Sequence, residues 1–488
     1  MILLLHPRST KPKNRRFPLA PLSLAAVLEG KEEYAIIDGN ADPQPGQTLD
    51  RLMRDKAAEL LAVSVMPGPQ MAAAIPLCRE FRAKYPRIPI VWGGYFASLY
   101  TDAALNAPYV DFAVRGQGEE TLLELIAALR THCRFRDIRG LSFKDDFGLH
   151  VHNAERPLRS PDDFPWLPYD RLPLAERYIL PTFLGKRTAV HQASIGCPYR
   201  CNFCGVVPVY QARQRTEAPE RTAAVLRHLK DRFSIDAVQF YDNNFFLSES
   251  HTADLAGRLV PLNLRWWSEG RIDAVLRYSD ETLRLLHRSG AAMIFFGAES
   301  GSDWVLEQMN KQSTTAQTLE LAARIRRFGI VPEFSFVIGN PADPERDTRE
   351  TIAFIRRIKR VNPDAEIIVQ HYIPTPHPDG MYGKVDDKIA FPQTPEEWAT
   401  ERWYNFTVRH DPHLSWLPGG LKRRIDNFDL VVNSRWPTKQ DIHLPGWGRA
   451  MLKTLSSWRY AAGFYKWPIE LEWAQRVVAL RKPRLESL

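Results

Sequence analysis

Short apolar or β-branched runs recur through the first 150 or so residues, at Ile2 to Leu5, Tyr34 to Asp38, Leu60 to Val65, Pro89 to Gly94 and Phe112 to Gly116. Each is followed by a stretch of helical periodicity, and strand-helix alternation of that kind predicts a parallel, doubly wound sheet. Arg139 to Val151 reads as a β-hairpin, and the proline-rich, acidic stretch Ser160-Pro-Asp-Asp-Phe-Pro-Trp-Leu-Pro-Tyr as a linker. From about residue 186 the alternation resumes. Strands are predicted at Thr188 to Ile195, Ala237 to Tyr241, Arg265 to Glu269, Met293 to Gly297, Glu333 to Ile338 and Glu366 to Tyr372. Helices are predicted between them, at Pro219 to Arg232, Asp280 to Ser289, Thr315 to Phe328 and Glu345 to Lys359. Six β/α units in series predict a partial relative of the eight-unit barrel, with its active site at the strand exits.

After residue 396 the pattern changes. Eight of the thirteen tryptophans fall at 398, 403, 416, 436, 447, 458, 467 and 473, mixed with Arg and Lys, and Leu452 to Tyr465 reads as an amphipathic helix. Two readings stand open: a helical cap that closes a cavity in the barrel, or a membrane-interfacial surface suited to a large apolar ligand. The expected division is 1–155, a 156–185 linker, 186–395, and a mostly helical 396–488.

Composition narrows the class only modestly. A chain of 488 residues, 44% hydrophobic and 25% charged, is an ordinary folded protein of two or three domains. Five cysteines over that length are not a secreted disulfide framework. No leader or long apolar span is evident, so a cytoplasmic location is expected. The net charge of +8 suits anionic ligands but is spread too thinly to imply a nucleic-acid partner, and none is expected.

The chemistry lies at the strand exits. In the first part these are Ser64-Val-Met66-Pro67-Gly68, Trp92-Gly93-Gly94-Tyr95 and Arg115-Gly116-Gln117-Gly118-Glu119. Their glycines permit either tight strand-to-helix turns or close backbone approach to a bulky ligand. No Gly-x-Gly-x-x-Gly opens the first helix, which argues against a dinucleotide fold. In the second part the first exit is Cys197-Pro-Tyr-Arg-Cys201-Asn-Phe203-Cys204, followed at later exits by Asp242-Asn243-Asn244, Glu269 with Arg271, Glu299-Ser300-Gly301-Ser302 and Gly339-Asn340-Pro341. Three thiolates on one short loop are metal ligands. A structural zinc wants a fourth protein ligand, for which His191 is the nearest spare. A four-iron cluster held by three cysteines leaves one iron open to chelate a ligand.

The Cys-x-x-x-Cys-x-x-Cys spacing at that position resembles the radical S-adenosylmethionine (SAM) superfamily. The resemblance implies that Cys197, Cys201 and Cys204 hold a [4Fe-4S] cluster, that Phe203 packs on adenine, and that Asp242 and Asn243 lie near the methionine amino group. By the same resemblance Glu269, Arg271, Glu299 and Ser300 hold ribose and carboxylate; for Glu269 and Arg271 a plain ion pair at the barrel rim is the alternative. Gly-Ala-Glu-Ser-Gly-Ser from Gly297 to Ser302, with Met309-Asn310-Lys311, is similar to the branch that carries an N-terminal cobalamin-binding domain. Phe17-Pro-Leu-Ala-Pro-Leu, Trp92-Gly-Gly and Gly116-Gln-Gly-Glu-Glu-Thr match recurrent segments of that domain. Ser64, Met66, Pro67, Gly93, Gly94, Tyr95 and Gly116 to Glu119 would then line the cobalamin groove. The loop His6 to Arg16 lacks the Asp-x-His-x-x-Gly of many cobalamin domains, so the nucleotide tail is expected to be displaced without a histidine replacing it.

The implied activity is methylation of an unactivated carbon of a small, apolar or lipid-like substrate lying between cobalt and cluster, with an external donor such as flavodoxin or ferredoxin. One SAM would methylate the corrin and a second would give the 5'-deoxyadenosyl radical. Two other readings stay open: an oxidative cyclisation or rearrangement that keeps both cofactors, and a non-enzymatic zinc- or corrinoid-binding module. Peripheral membrane contact through the C-terminal region is a further expectation.

Overall fold

The computed structural model describes residues 1–131, 134–375, 389–408 and 416–478. Its first sheet contains β1 (Ile2–His6), β2 (Tyr34–Asp38), β3 (Leu60–Ser64), β4 (Ile90–Gly93), β5 (Phe112–Val114), β6 (Leu141–Lys144) and β7 (His150–His152). The order is β2-β1-β3-β4-β5-β6-β7, parallel through β5, with β6 and β7 forming the antiparallel hairpin at the edge. Ile2 to Leu5 and Leu60 to Val63 are buried on both faces, which is why these strands read as continuous apolar runs. The chain reverses direction across the sheet between β1 and β3, and a crevice at the carboxyl ends of the strands beside such a reversal is where open α/β sheets take ligands.

The second sheet is made by β8 (Thr188–His191), β11 (Ala237–Phe240), β12 (Arg265–Gly270), β13 (Ala291–Glu299), β14 (Val331–Ile338) and β15 (Glu366–His371), all parallel, in the order β15-β14-β13-β12-β11-β8. It is a six-stranded open barrel, as the six β/α units predict. The strand expected over Thr188 to Ile195 is divided. After His191 the chain leaves the barrel, and β9 (Ser194–Gly196) pairs instead with β10 (Gln214–Thr216) in a separate antiparallel ribbon. Gly196, at φ +80°, turns the chain out of that ribbon into the cysteine loop.

One hydrophobic cluster runs from the first sheet into the barrel. Phe17 stacks on Tyr178 with ring centroids 5.5 Å apart and meets Tyr169 edge-on at 4.9 Å, so the 156–185 segment is packed between the two sheets. The C-terminal region contributes helices Gly419–Arg435, Gly446–Ala462 and Ile469–Val477. Its tryptophans do not share one role. Trp398 is fully buried in the core of the first domain against Phe96 and Tyr100, whereas Trp447, Trp458, Trp467 and Trp473 are exposed. Among the described residues no helix is long and apolar enough to cross a membrane.

Candidate active site between the two sheets

A cavity of about 1880 Å³ runs from the carboxyl edge of the first sheet into the barrel lumen. All the first-domain residues expected at a cobalamin groove line it: Ser64, Met66, Pro67, Gly93, Gly94, Tyr95 and Gly116 to Glu119. Gly94 sits at φ +90°, and a Cβ there would lie 3.0 Å from the Val65 carbonyl oxygen, so a side chain is excluded from that edge. His6 also lines the cavity. Its ring lies 3.1 Å from Gln70 Nε2, and burial lowers its pKa, which holds it neutral.

Across the cavity stands the cysteine loop. Cys204 and Phe203 line the space, while Cys197 and Cys201 sit just behind it. Burial pushes the Cys204 thiol up to about 12 and raises that of Cys197, so the metal-free thiols are neutral and must lose protons to ligate. Among the described residues no three or more His, Cys, Asp or Glu side chains are arranged to hold a single metal ion. His191 is not a fourth ligand; it is buried, 2.9 Å from Tyr169 Oη and 2.8 Å from Glu217 Oε2. With His191 so engaged, the three thiols of the loop fit a [4Fe-4S] cluster better than a four-ligand zinc.

The polar residues at the other strand exits separate into two sets. Asp242, Asn243, Glu269 and Glu299 face the cavity. Burial raises the Asp242 and Glu269 carboxyls to about 7, reinforced at Glu269 by Asp242 and Glu299. Asp242 Oδ2 accepts from the Ala193 N–H at 3.2 Å, but its Oδ1 is buried without a partner, as is the Ser268 hydroxyl beside Glu269. A carboxyl at the cavity wall with one buried, unsatisfied oxygen fits a ligand that donates N–H groups. Asn243 bridges the domains: its Oδ1 accepts from Gly196 N–H at 3.2 Å and its Nδ2 donates to Tyr95 Oη at 3.3 Å.

Arg271 and Ser300 lie outside the cavity lining. Arg271 is buried behind the cysteine loop, 3.6 Å over the Tyr199 ring, paired with Asp273 at 2.9 Å and with Nη1 3.5 Å from Cys201 Sγ. Ser300 donates to Asp347 Oδ1 at 2.7 Å, and the other oxygen of Asp347 accepts from Gly339 and Asn340 N–H. Glu299 has φ +62°, a strained conformation for a side-chain-bearing residue, and its Oε1 accepts from Lys311 Nζ at 2.7 Å. A Cβ on Gly297 would fall 2.2 Å from that carboxylate oxygen, so the pair needs glycine beneath it. Lys311 lies in the Met309-Asn310-Lys311 match, where nothing in the motif marks it as the partner of Glu299. Arg16, Tyr241 and Glu333 were missed because isolated strand and loop residues carry no motif.

A glycine-edged α/β domain facing a partial barrel with a three-cysteine loop defines a cofactor-dependent enzyme built around an iron-sulfur cluster and a second large cofactor. Comparison with known families agrees. Residues 8–126 match the B12 binding domain and residues 192–355 the radical SAM superfamily. The chain therefore belongs to the radical SAM enzymes that carry a B12-binding domain, whose cofactors are a [4Fe-4S] cluster, SAM and cobalamin. It is 26% identical over 365 residues to an uncharacterized methyltransferase of Pyrococcus horikoshii, covering 74% of this chain and 76% of the relative. It is also 26% identical over 410 residues to the anaerobic magnesium-protoporphyrin IX monomethyl ester cyclase of Synechocystis, covering 81% and 79%. Its fold is similar, with a TM-score of 0.67 at 16% identity and 98% coverage of both chains, to the radical SAM methyltransferase TsrM of Kitasatospora setae with cobalamin and a [4Fe-4S] cluster bound.

Proposed function

We propose that the chain methylates an unactivated carbon of a small molecule seated between the glycine edge of the first sheet and the cysteine loop. The observation that carries this reading is the single cavity, which joins the expected corrin groove, the cysteine loop and the barrel lumen without a wall between them. When bound, the cluster and SAM supply a radical able to take hydrogen from carbon, and the corrin supplies the methyl group.

This chain's residues bind, orient and exclude water. Cys197, Cys201 and Cys204 would hold the cluster, Asp242 Oδ1 would accept from an amino group, and Phe203 would pack on adenine. Arg271 positions Cys201 from behind the loop. The lumen beyond is walled by Trp267, Phe295, Phe183 and Ile442, which supports a substrate with an apolar or lipid-like body. Thr438, Gln440 and Ile442 close the lumen from the C-terminal region, in support of the cap reading. The four exposed tryptophans stand outside this cap; the exposed Lys453, Lys466 and Arg476 against the exposed Glu472 support peripheral contact with an anionic membrane. A flavodoxin or ferredoxin is the expected electron donor.

The relative named a methyltransferase and the relative named a cyclase are equally similar to this chain, and products separate the two chemistries. Methyl transfer yields S-adenosylhomocysteine together with 5'-deoxyadenosine, and the product gains a methyl mass. Turnover that forms 5'-deoxyadenosine alone, with no methyl gain, would refute this reading in favour of cyclisation.

A further inference from the structure

The loop after β1 carries Arg8, Lys11, Lys13, Arg15 and Arg16 and no acidic residue between positions 7 and 16. Lys11, Lys13 and Arg16 line the cavity. Arg16 reaches out of its own domain to β11: its Nε donates to Gln239 Oε1 at 3.3 Å, and it hydrogen-bonds the hydroxyl of Tyr241. A further donor meets the Arg15 carbonyl at 2.8 Å. All of these partners are neutral, and among the described residues no carboxylate lies within ion-pair reach of the guanidinium.

Such an arrangement is costly. A half-buried guanidinium at a cavity wall loses part of its hydration, and neutral acceptors return only some of it, so such charges are normally paired. Burial accordingly lowers the pKa of Arg16, although the group stays charged. The acids of the lumen do not relieve it. Glu333 accepts from Trp267 Nε1 at 3.1 Å and from Gln440, and Glu366 accepts from Thr438 and the Lys439 N–H. Burial pushes Glu333 up to about 8 and Glu269 to about 7, which keeps much of their charge off near neutral pH. Gln239 on β11 and Tyr241, the first residue past its end, both line the cavity beside Trp267, 6.4 Å from Tyr241 between ring centroids. Arg16 thus meets the barrel beside its aromatic wall, in the cavity that the lumen shares with the first sheet.

We propose that Arg16 binds an anionic oxygen group, a carboxylate or a phosphate, on the substrate, whose apolar body lies against Trp267 and Phe295. The inference rests on the reading of this cavity as the substrate site and adds the charge of the substrate to it. A guanidinium recognises either group through two parallel N–H donors, and charge-assisted hydrogen bonds in a desolvated site are the strong ones.

The test uses the full chain loaded with cluster and cobalamin, titrated calorimetrically with octanoate, octyl phosphate and 1-octanol. The wild type is expected to bind at least one of the two anions about tenfold or more tightly than octanol, and the tighter of the two identifies the group. R16Q is expected to lose that preference while retaining the cobalamin absorbance that reports its folding, and R16K to recover part of it. Equal binding of anions and octanol by the wild type would overturn the proposal. So would a preference that survives in R16Q, or a loss of cobalamin from R16Q and R16K alike, which would assign the guanidinium to the corrin. Wild-type protein that shows the anion preference but forms no methylated product would sink the methyl-transfer reading and leave this one standing.

Discussion

The Glu299–Lys311 pair offers a quantitative test of how the cysteine loop is held. Both side chains are about nine-tenths buried, at 10% and 8% exposure, and meet at 2.7 Å. The Lys311 carbonyl in turn accepts from Arg271, whose guanidinium approaches Cys201 Sγ, so the pair sits one residue removed from the cysteine loop. K311M removes the cation, keeps the aliphatic volume and strands a buried carboxylate, a change that costs about 3–5 kcal/mol. For a domain of this size each kcal/mol lowers the midpoint by about 2–4 °C, so calorimetry of the apoprotein should show a fall of about 6–20 °C. The double variant E299Q/K311M leaves no unpaired charge and is expected to regain more than half of that loss. Iron retained after gel filtration of the reconstituted protein should fall in K311M in step with stability. A K311M midpoint within about 2 °C of wild type, or a double variant no more stable than K311M alone, would show that the pair does not hold the loop.

G94A forces a Cβ to within 3.0 Å of the Val65 carbonyl at φ +90°, a strain of about 1–2 kcal/mol, and equilibrium dialysis should show weakened cobalamin binding; unchanged affinity would remove Gly94 from the groove. Glu333 stays protonated in the folded state up to about pH 8, whereas the unfolded chain loses that proton near its ordinary pKa of 4.5. Apoprotein stability is therefore expected to fall as pH rises from about 4.5 to about 8, and E333Q to flatten that slope; an unaltered slope contradicts the assignment. Replacing Trp447, Trp458, Trp467 and Trp473 together by alanine should abolish co-sedimentation with anionic vesicles without lowering the midpoint, since each is more than half exposed; binding that persists would exclude them as the contact.

Much of this was legible in the sequence because the strands are buried on both faces. Ile2 to Leu5 and Leu60 to Val63 have no polar side to confuse the period, and the Tyr34–Asp38 strand has the bounds its pattern predicts. The break after His191 was not legible. Thr188 to Ile195 reads as one run, and only the pairing of 194–196 with 214–216, fixed by residues twenty apart, divides it. The cysteine spacing and the Gly297 to Ser302 segment are local and could be read directly. Orientation was not: Arg271 and Ser300 occupy the expected strand exits, yet one lies behind the loop and the other is consumed by Asp347. Arg16 was invisible for the opposite reason, since its partners Gln239 and Tyr241 lie more than 200 residues away and no motif joins them. The tryptophans shared one composition but not one role, because Trp398 is recruited into the core of the first domain and four others are left in solvent.

The metal and corrinoid content of the purified protein tests the cofactor assignment most directly. Anaerobically purified chain, analysed for metals and corrinoid, is expected to contain about four iron atoms and about one cobalamin per chain, with the iron lost and the corrinoid largely kept in C201A. Zinc in place of iron, iron well below four per chain, or a C201A protein that still cleaves SAM would contradict the assignment of the cysteine loop and, with it, the chemistry proposed for the cavity.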